Sequence, residues 1–134
     1  MSSSIQAFFD RYAQAINSQN FCGIKDCFKL PFILVHKAPK SVVSFDEQLE
    51  QKVKGFLLKL RETGIVNLSF QLVKSLDVAG DMKFVSVQWA FTDEAGSVIN
   101  QYTNSYILSL ADEDIKIITL IVDDKHDLFI QLMK

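Results

Sequence analysis

Residues 83–92 read Lys-Phe-Val-Ser-Val-Gln-Trp-Ala-Phe-Thr, and their pattern is the strongest structural signal in the chain. Apolar and polar side chains alternate along this segment. A period of two is typical of a strand with one face in a core and the other face toward solvent. The apolar face carries Val85, Val87, Trp89 and Phe91, and the other face carries Ser86, Gln88 and Thr92.

Further strands are predicted on both sides of this segment. Antiparallel strands of about ten residues or more twist and bend, so the sheet they form is predicted to be strongly curved. The predicted elements are a strand at Val66–Val78, a turn at Ala79–Asp81, a hairpin turn at Asp93–Gly96, a strand at Val98–Leu110, a turn at Ala111–Asp114 and a strand at Ile115–Val122.

Three helices are predicted before these strands. The first begins at Ile5 after a cap at Ser3 or Ser4. The second spans Phe21–Phe28 with Asn20 as its cap. The third follows the capping-box pattern Ser44-x-x-Glu47 and ends at Gly64. Their apolar faces carry Ile5, Phe8, Phe9, Tyr12 and Ile16 in the first, Ile24, Cys27 and Phe28 in the second, and Leu49, Val53, Phe56, Leu57 and Leu60 in the third.

A small hairpin is predicted between the second and third helices. Phe32–His36 forms one strand with Pro31 at its start, residues 37–40 form the turn, and Ser41–Ser44 return. Asp123 or Asp124 is placed to cap a short C-terminal helix that carries Leu128, Phe129 and Leu132. The class is therefore α+β, with three N-terminal helices packed into a strongly curved, mostly antiparallel sheet, in one domain over residues 1–134.

Composition excludes several kinds of protein. The 134 residues carry 14 Lys and Arg against 16 Asp and Glu, so there is no basic excess to bind nucleic acid. The N-terminus does not read as a secretory signal, and no apolar run is long enough to cross a membrane. Cys22 and Cys27 have the wrong spacing for zinc, so we expect reduced, partly buried thiols, no metal and no other cofactor. These features predict a cytoplasmic protein.

Arg11-Tyr12-x-x-Ala15, the following Ile24 and Phe28, and the final strand pair at Tyr106–Leu110 and Ile115–Thr119 occur here in a characteristic order. This order resembles the nuclear transport factor 2-like superfamily, which includes ketosteroid isomerases, scytalone dehydratases and polyketide-cyclase-like proteins. The resemblance covers nearly the whole chain. It implies a cone-shaped, cystatin-like domain with a pocket at its wide end, and a homodimer that pairs through the outer face of the sheet.

The resemblance also implies residues that carry chemistry. In a gapless alignment with a ketosteroid isomerase, Tyr12 falls at a tyrosine of the oxyanion hole and His36 at the carboxylate that moves the proton. A buried phenol can donate a hydrogen bond to a developing enolate, and histidine is suited to proton transfer. Asp123 is the other candidate base. The second acid of the oxyanion hole is absent, since Tyr106-Ile107 occupies that region.

Tyr102, Asn104 and Tyr106 share one face of a predicted strand, and the direction of this face stays open. An inward face would supply the polar groups of a pocket, because a buried amide needs partners. An outward face would form a hydrogen-bonding dimer surface. The predicted ligand-binding residues are Tyr12, Trp89, Tyr102, Asn104, Tyr106 and Thr119, the last of which stands where many polyketide-cyclase-like relatives carry histidine. Tyr12 and Trp89 also fit ordinary core packing, and His36 also fits an exposed position beside a turn.

Three functions follow from these readings. The first is a domain that binds a small apolar or amphipathic molecule in a largely apolar pocket. The second is an isomerase or lyase acting beside a carbonyl, with Tyr12 as donor and His36 or Asp123 as base. The third is a protein-interaction module that uses the sheet. The first is favoured because the acid–base set is incomplete, and no nucleic-acid or membrane partner is expected.

Overall fold

Three helices and six strands make up the computed structural model, which describes residues 2–35, 41–111 and 114–122. The predicted residues His36 and Asp123, the turn at 37–40 and the C-terminal helix lie outside these ranges. The elements are α1 (Ser2–Asn17), α2 (Phe21–Lys25), β1 (Phe28–Val35), β2 (Ser41–Val43), α3 (Asp46–Glu62), β3 (Asn67–Ala79), β4 (Met82–Thr92), β5 (Val98–Ser109) and β6 (Lys116–Val122).

The six described strands form one curved, open sheet in the order β2-β1-β6-β5-β4-β3. Strands β1 and β6 are parallel, and every other neighbouring pair is antiparallel. The predicted α+β class and the mostly antiparallel sheet are confirmed. Within the described ranges, none of the helices combines the length and apolarity that a bilayer crossing needs.

The inner face of the sheet and the apolar faces of the helices form one core. Val85, Val87, Trp89 and Phe91 are each at most 1 % exposed, so the predicted alternation of β4 is confirmed. All the residues predicted for the apolar faces of the first and third helices are buried as well. Helix α1 packs against β3 and α2, and α2 packs against α3.

The second helix and the first strand meet earlier than predicted. Asn20 caps α2 as expected, with its side chain accepting from the Gly23 backbone N–H. However, α2 ends at Lys25, and the prediction that it reaches Phe28 is wrong. Phe28 already pairs with Ile117 of β6, and the Ile117 N–H donates to the Cys27 carbonyl at 2.7 Å. Tertiary pairing with a distant strand therefore overrides the local helical pattern.

Pro31 lies inside β1 and not at its start as predicted. Two features make this position tolerable for a residue that has no backbone N–H. The pairing of β1 with β6 shifts register between Phe28 and Ile33, and β2 pairs only with Phe32–Leu34. Pro31 consequently falls in a gap of the hydrogen-bond ladder on both sides.

Helix α3 begins at Asp46 with Phe45 as its N-cap residue, so the predicted capping box of Ser44 and Glu47 is wrong. The Gln48 Oε1 atom accepts from the backbone N–H groups of Ser44 and Phe45, at 2.9 and 3.1 Å. At the other end, Gly64 adopts φ +79°, as predicted for a left-handed cap. Helix α1 also begins earlier than predicted, at Ser2.

The two cysteines are free and differ in burial. Cys22 is exposed, so the prediction that both thiols are partly buried is wrong for this residue, whereas Cys27 is buried. Burial raises the pKa of the Cys27 thiol to about 11. This thiol therefore stays protonated, and hence weakly nucleophilic, at neutral pH.

Candidate functional site

Five of the six predicted ligand-binding residues lie together in the interior, and we call Tyr12, Trp89, Tyr102, Asn104 and Tyr106 the interior cluster. Strand register answers the open question of direction. Tyr106 pairs with Val85, Asn104 with Val87 and Tyr102 with Trp89, all on the inner face of the sheet. Tyr102, Asn104 and Tyr106 are at most 2 % exposed, so their face points inward.

A buried hydrogen bond joins two members of the interior cluster. Trp89 Nε1 donates to the Tyr106 hydroxyl oxygen at 2.9 Å. The Asn104 side chain lies beside the same phenol, on the same face of β5. Burial raises the pKa of Tyr106 above its ordinary value, and the hydrogen bond from Trp89 together with the polar Asn104 side chain opposes part of the rise. The phenol is consequently neutral at every physiological pH.

Tyr12 reaches the same cluster from α1. Its ring centroid lies 5.9 Å from that of Trp89 and 6.5 Å from that of Tyr106, both in edge-to-face geometry. Burial, and to a smaller degree the neighbouring Tyr106 and Cys27, raise the pKa of Tyr12 well above its usual value. At 7 % exposure Tyr12 is the most exposed member of the cluster. The interior cluster thus offers neutral phenol, indole and amide groups, which can form hydrogen bonds with an oxygen-containing ligand.

Thr119 is not brought to the interior cluster. It pairs with Ile107 of β5 and Ile33 of β1, whereas the inward Tyr106 pairs with Leu120. Because paired residues share a face of the sheet, Thr119 lies on the outer face, half-buried. His36 and Asp123 lie outside the described residues, so the predicted acid–base role of these two side chains stays a prediction.

The structure also contains a cleft that sequence reasoning missed. It has a volume of about 700 Å³ and lies where the C-terminal ends of α1 and α3 meet the start of β3 and the turn between β4 and β5. We call it the hairpin cleft, and it is lined by Ile16, Asn17, Gln19, Leu60, Arg61, Gly64, Ile65, Val66, Asn67, Leu68, Asp93, Glu94 and Ala95. These residues come from three separate segments of the sequence, so no local motif indicates the cleft.

Two smaller cavities lie near the start of β6. One of about 410 Å³ is bordered by Arg11, Cys27 and Lys116 among others, and one of about 210 Å³ by Lys29 and Ser109 among others. The hairpin cleft and these two cavities are lined by none of the interior cluster. The members of the interior cluster are at most 7 % exposed, and their rings pack against one another.

Residues 2–125 match the family model described as NTF2-like protein (DUF6841). No curated protein matches the chain at a significant level. Among solved structures, an NTF2-like protein of unknown function from Shewanella oneidensis MR-1 has a TM-score of 0.70 at 8% identity, over 90% of this chain and 96% of that one.

Two further solved structures show the same architecture. A domain of unknown function with a cystatin-like fold from Nostoc punctiforme PCC 73102 has a TM-score of 0.67 at 14% identity, over 96% of this chain and 82% of that one. A ketosteroid isomerase-like protein from Erwinia carotovora atroseptica SCRI1043 has a TM-score of 0.62 at 16% identity, over 87% and 90%. At these identities the likeness establishes the fold alone.

Proposed function

Because this chain belongs to the NTF2-like protein family DUF6841, a family of cone-fold domains, we propose that it binds a small molecule inside the cone. The ligand is a largely apolar molecule that carries a carbonyl or hydroxyl oxygen. Its oxygen bonds to the polar atoms of the interior cluster, and its body packs against the surrounding rings. The family description and the relatives of similar fold leave the ligand itself unnamed.

The observation that carries this proposal is the concentration of polar atoms in an otherwise apolar interior. All three tyrosines of the chain, the single tryptophan and the buried Asn104 meet there. Burying polar groups costs free energy unless they are hydrogen-bonded, and an interior of Phe and Leu would avoid that cost. Binding pockets commonly combine apolar walls with a few converging polar groups. The interior cluster has this composition, and Tyr12 is the ring we expect to move when a ligand enters.

A matched pair of probes tests the proposal. We expect 1-indanone, which carries a carbonyl, to raise the melting temperature of the full chain, since a ligand that binds only the folded state stabilises it. Indane has the same carbon skeleton without the oxygen, and we expect a smaller shift. In Asn104→Leu the advantage of 1-indanone over indane should disappear. Equal shifts for both probes, or an advantage that survives in Asn104→Leu, would contradict binding through the interior cluster.

The alternative function, catalysis, predicts different experimental results. If Tyr12 donates to a carbonyl oxygen while His36 moves the proton, then Tyr12→Phe and His36→Ala each abolish turnover of a carbonyl substrate with little change in melting temperature. A binding domain shows ligand-dependent stabilisation without turnover. Proton exchange at the carbon beside the carbonyl of 1-indanone, followed by NMR in deuterated water, separates the two.

We also propose a homodimer through the outer face of the sheet. A row of side chains crosses all six described strands in register on this face, and most of them are apolar: Leu76, Phe84, Ile107, Thr119, Ile33 and Val42. Interface cores are enriched in such residues and depleted in charge. Sedimentation equilibrium should show a dimer that Ile33→Lys weakens and that Gln88→Lys, on the polar part of the face, leaves intact. A monomer at every concentration would rule this dimer out.

A further inference from the structure

The hairpin cleft has an apolar floor and a polar rim. Ile16, Leu60, Ile65 and Leu68 form the floor and are each at most 7 % exposed. The rim carries the side chains of Gln19, Arg61, Asn67, Asp93 and Glu94. A volume of about 700 Å³ lies within the range of small-molecule pockets. The cleft is therefore large enough for a compact ligand that has an apolar body and a polar head.

The charges around the hairpin cleft favour a cation. Asp93 and Glu94 outnumber Arg61, which leaves the lining with a formal charge of −1 (one positive against two negative). Two long helices, α1 of 16 residues and α3 of 17 residues, end at the cleft. The C-terminal end of a helix carries a partial negative charge because its last carbonyls point outward. The charged side chains and the helix ends thus both make the electrostatic potential in the cleft more negative.

One lining residue adopts a conformation that a glycine would occupy more easily. Gln19 has φ +55°. Two backbone hydrogen bonds close the end of α1 here, from the Gln19 N–H to the Ile16 carbonyl and from the Asn20 N–H to the Ala15 carbonyl. At the end of α3 the matching left-handed position holds Gly64, at φ +79°. A non-glycine residue costs free energy in this region. The chain keeps an amide side chain at the cleft where the backbone alone would favour glycine.

We propose that the hairpin cleft is a second binding site, for a small protonated amine attached to an aromatic or short alkyl body. The ammonium group lies against the Glu94 carboxylate and the Oδ2 atom of Asp93, whose Oδ1 atom already accepts from the backbone N–H groups of Ala95 and Ser97. The C-terminal ends of α1 and α3 lie nearby, and the Gln19 amide oxygen is a further acceptor. The apolar body covers Ile16 and Leu68. This site is separate from the interior cluster, and it does not depend on the function proposed for that cluster.

Three probes that share a phenyl ring and differ in the head group test the charge preference. They are phenethylammonium, 2-phenylethanol and 3-phenylpropionate, titrated into the full 134-residue chain and followed by backbone amide NMR. We expect phenethylammonium to shift the amides of residues 16–19, 64–68 and 93–96, and to bind more weakly as salt is added. Absence of shifts in these segments, or equal affinity for the alcohol or the carboxylate, would overturn the proposal.

Substitutions separate binding from folding. Glu94→Gln removes a charge at an exposed turn position and should weaken phenethylammonium binding about two- to fivefold. The matched control is Glu47→Gln, which removes the same charge at the opposite end of α3 and should leave the affinity unchanged. If both variants weaken binding equally, the effect is one of net charge and the assigned site is wrong.

Gln19→Gly is expected to change stability and binding in opposite directions. Relief of the left-handed backbone should raise the melting temperature by about 2–4 °C, while loss of the amide weakens phenethylammonium binding. A purely structural role predicts higher stability with unchanged affinity, and that result would remove Gln19 from the site.

Discussion

The two faces of the β4–β5 pair carry the same kind of contact in opposite surroundings. On the inner face, Trp89 donates to Tyr106 at 2.9 Å. On the outer face, the hydroxyls of Ser86 and Ser105 lie 3.0 Å apart. The inner pair is at most 1 % exposed, whereas the outer pair is only partly buried. The same backbone ladder supports both, so solvent access is what separates them.

This difference in solvent access determines how much each hydrogen bond matters for stability. A hydrogen bond that competes with water contributes little to stability, because the unfolded chain finds an equivalent partner in solvent. A buried donor that loses its acceptor bears the full cost of desolvation. Substitutions on the inner face should therefore be much more costly than matched substitutions one residue away on the same strand.

The largest contrast is expected from the neighbours Trp89 and Gln88. Trp89→Ala removes a fully buried ring that packs against Tyr12 and Phe70, and we expect a loss of about 3–5 kcal/mol in the free energy of unfolding. Gln88→Ala points outward and should cost less than about 0.5 kcal/mol. Urea titration of both variants measures the two values, and similar losses would show that the faces are not energetically distinct.

Alkaline pH tests the inner face without any substitution. The pKa values of Tyr12, Tyr102 and Tyr106 are all raised, chiefly by burial. The folded state therefore keeps three protons that the unfolded state loses above about pH 10. Stability should be unaffected by these groups below that pH and should fall above it by about 1.4 kcal/mol per pH unit for each tyrosine.

Tyrosinate absorbance and circular dichroism report this transition together. Since all three tyrosines of the chain are buried, tyrosinate should appear cooperatively with unfolding. Ionisation near pH 10 with the fold intact would mean that water reaches the phenols. Tyr106→Phe should reduce the tyrosine contribution to this pH dependence by one third, while the raised pKa of Cys27 adds a separate contribution that the substitution leaves in place.

The hydrogen bonds themselves give the smallest contrast. Tyr106→Phe leaves the Trp89 N–H without its acceptor, and we expect a loss of about 1–3 kcal/mol. Ser105→Ala breaks the outer pair and should cost about 0–0.5 kcal/mol. Adding Trp89→Phe to Tyr106→Phe should cost less than the sum of the single changes, since both partners are then apolar. Simple additivity would argue against a direct bond.

Local pattern was sufficient to predict most of the fold. The alternation of β4, the helix caps at Asn20 and Gly64, and the apolar faces of α1 and α3 depend on near neighbours, and each is confirmed. Some errors are local, such as the capping residue of α3, but the change of secondary structure occurs where distant segments meet. Phe28 leaves the helical pattern because it pairs with Ile117, which is 89 positions away (117 minus 28).

The candidate sites divide in the same way. Period-two spacing placed Tyr102, Asn104 and Tyr106 on one face, but the sequence could not tell which side of the sheet that face would cover. Thr119 was predicted to bind the ligand but lies on the outer face. Strand β6 has an irregular register beside it, between the pairs Ile107–Thr119 and Leu108–Ile117, and simple alternation along the sequence does not predict such an irregularity. The hairpin cleft forms where three segments of the sequence converge, so only the folded chain reveals it.

Asn17 protects one edge of the sheet from pairing with another chain, although it belongs to a helix. Its amide oxygen accepts from the Leu68 N–H at 2.6 Å and its amide nitrogen donates to the Leu68 carbonyl at 3.0 Å, so it replaces one pair of ladder hydrogen bonds at the start of the edge strand β3. Farther along β3, two register shifts interrupt the regular pairing with β4, and Lys74 lies at the first of them. Regular exposed edges recruit other chains into fibrils. Here a single helical amide and two irregularities should weaken such pairing along β3.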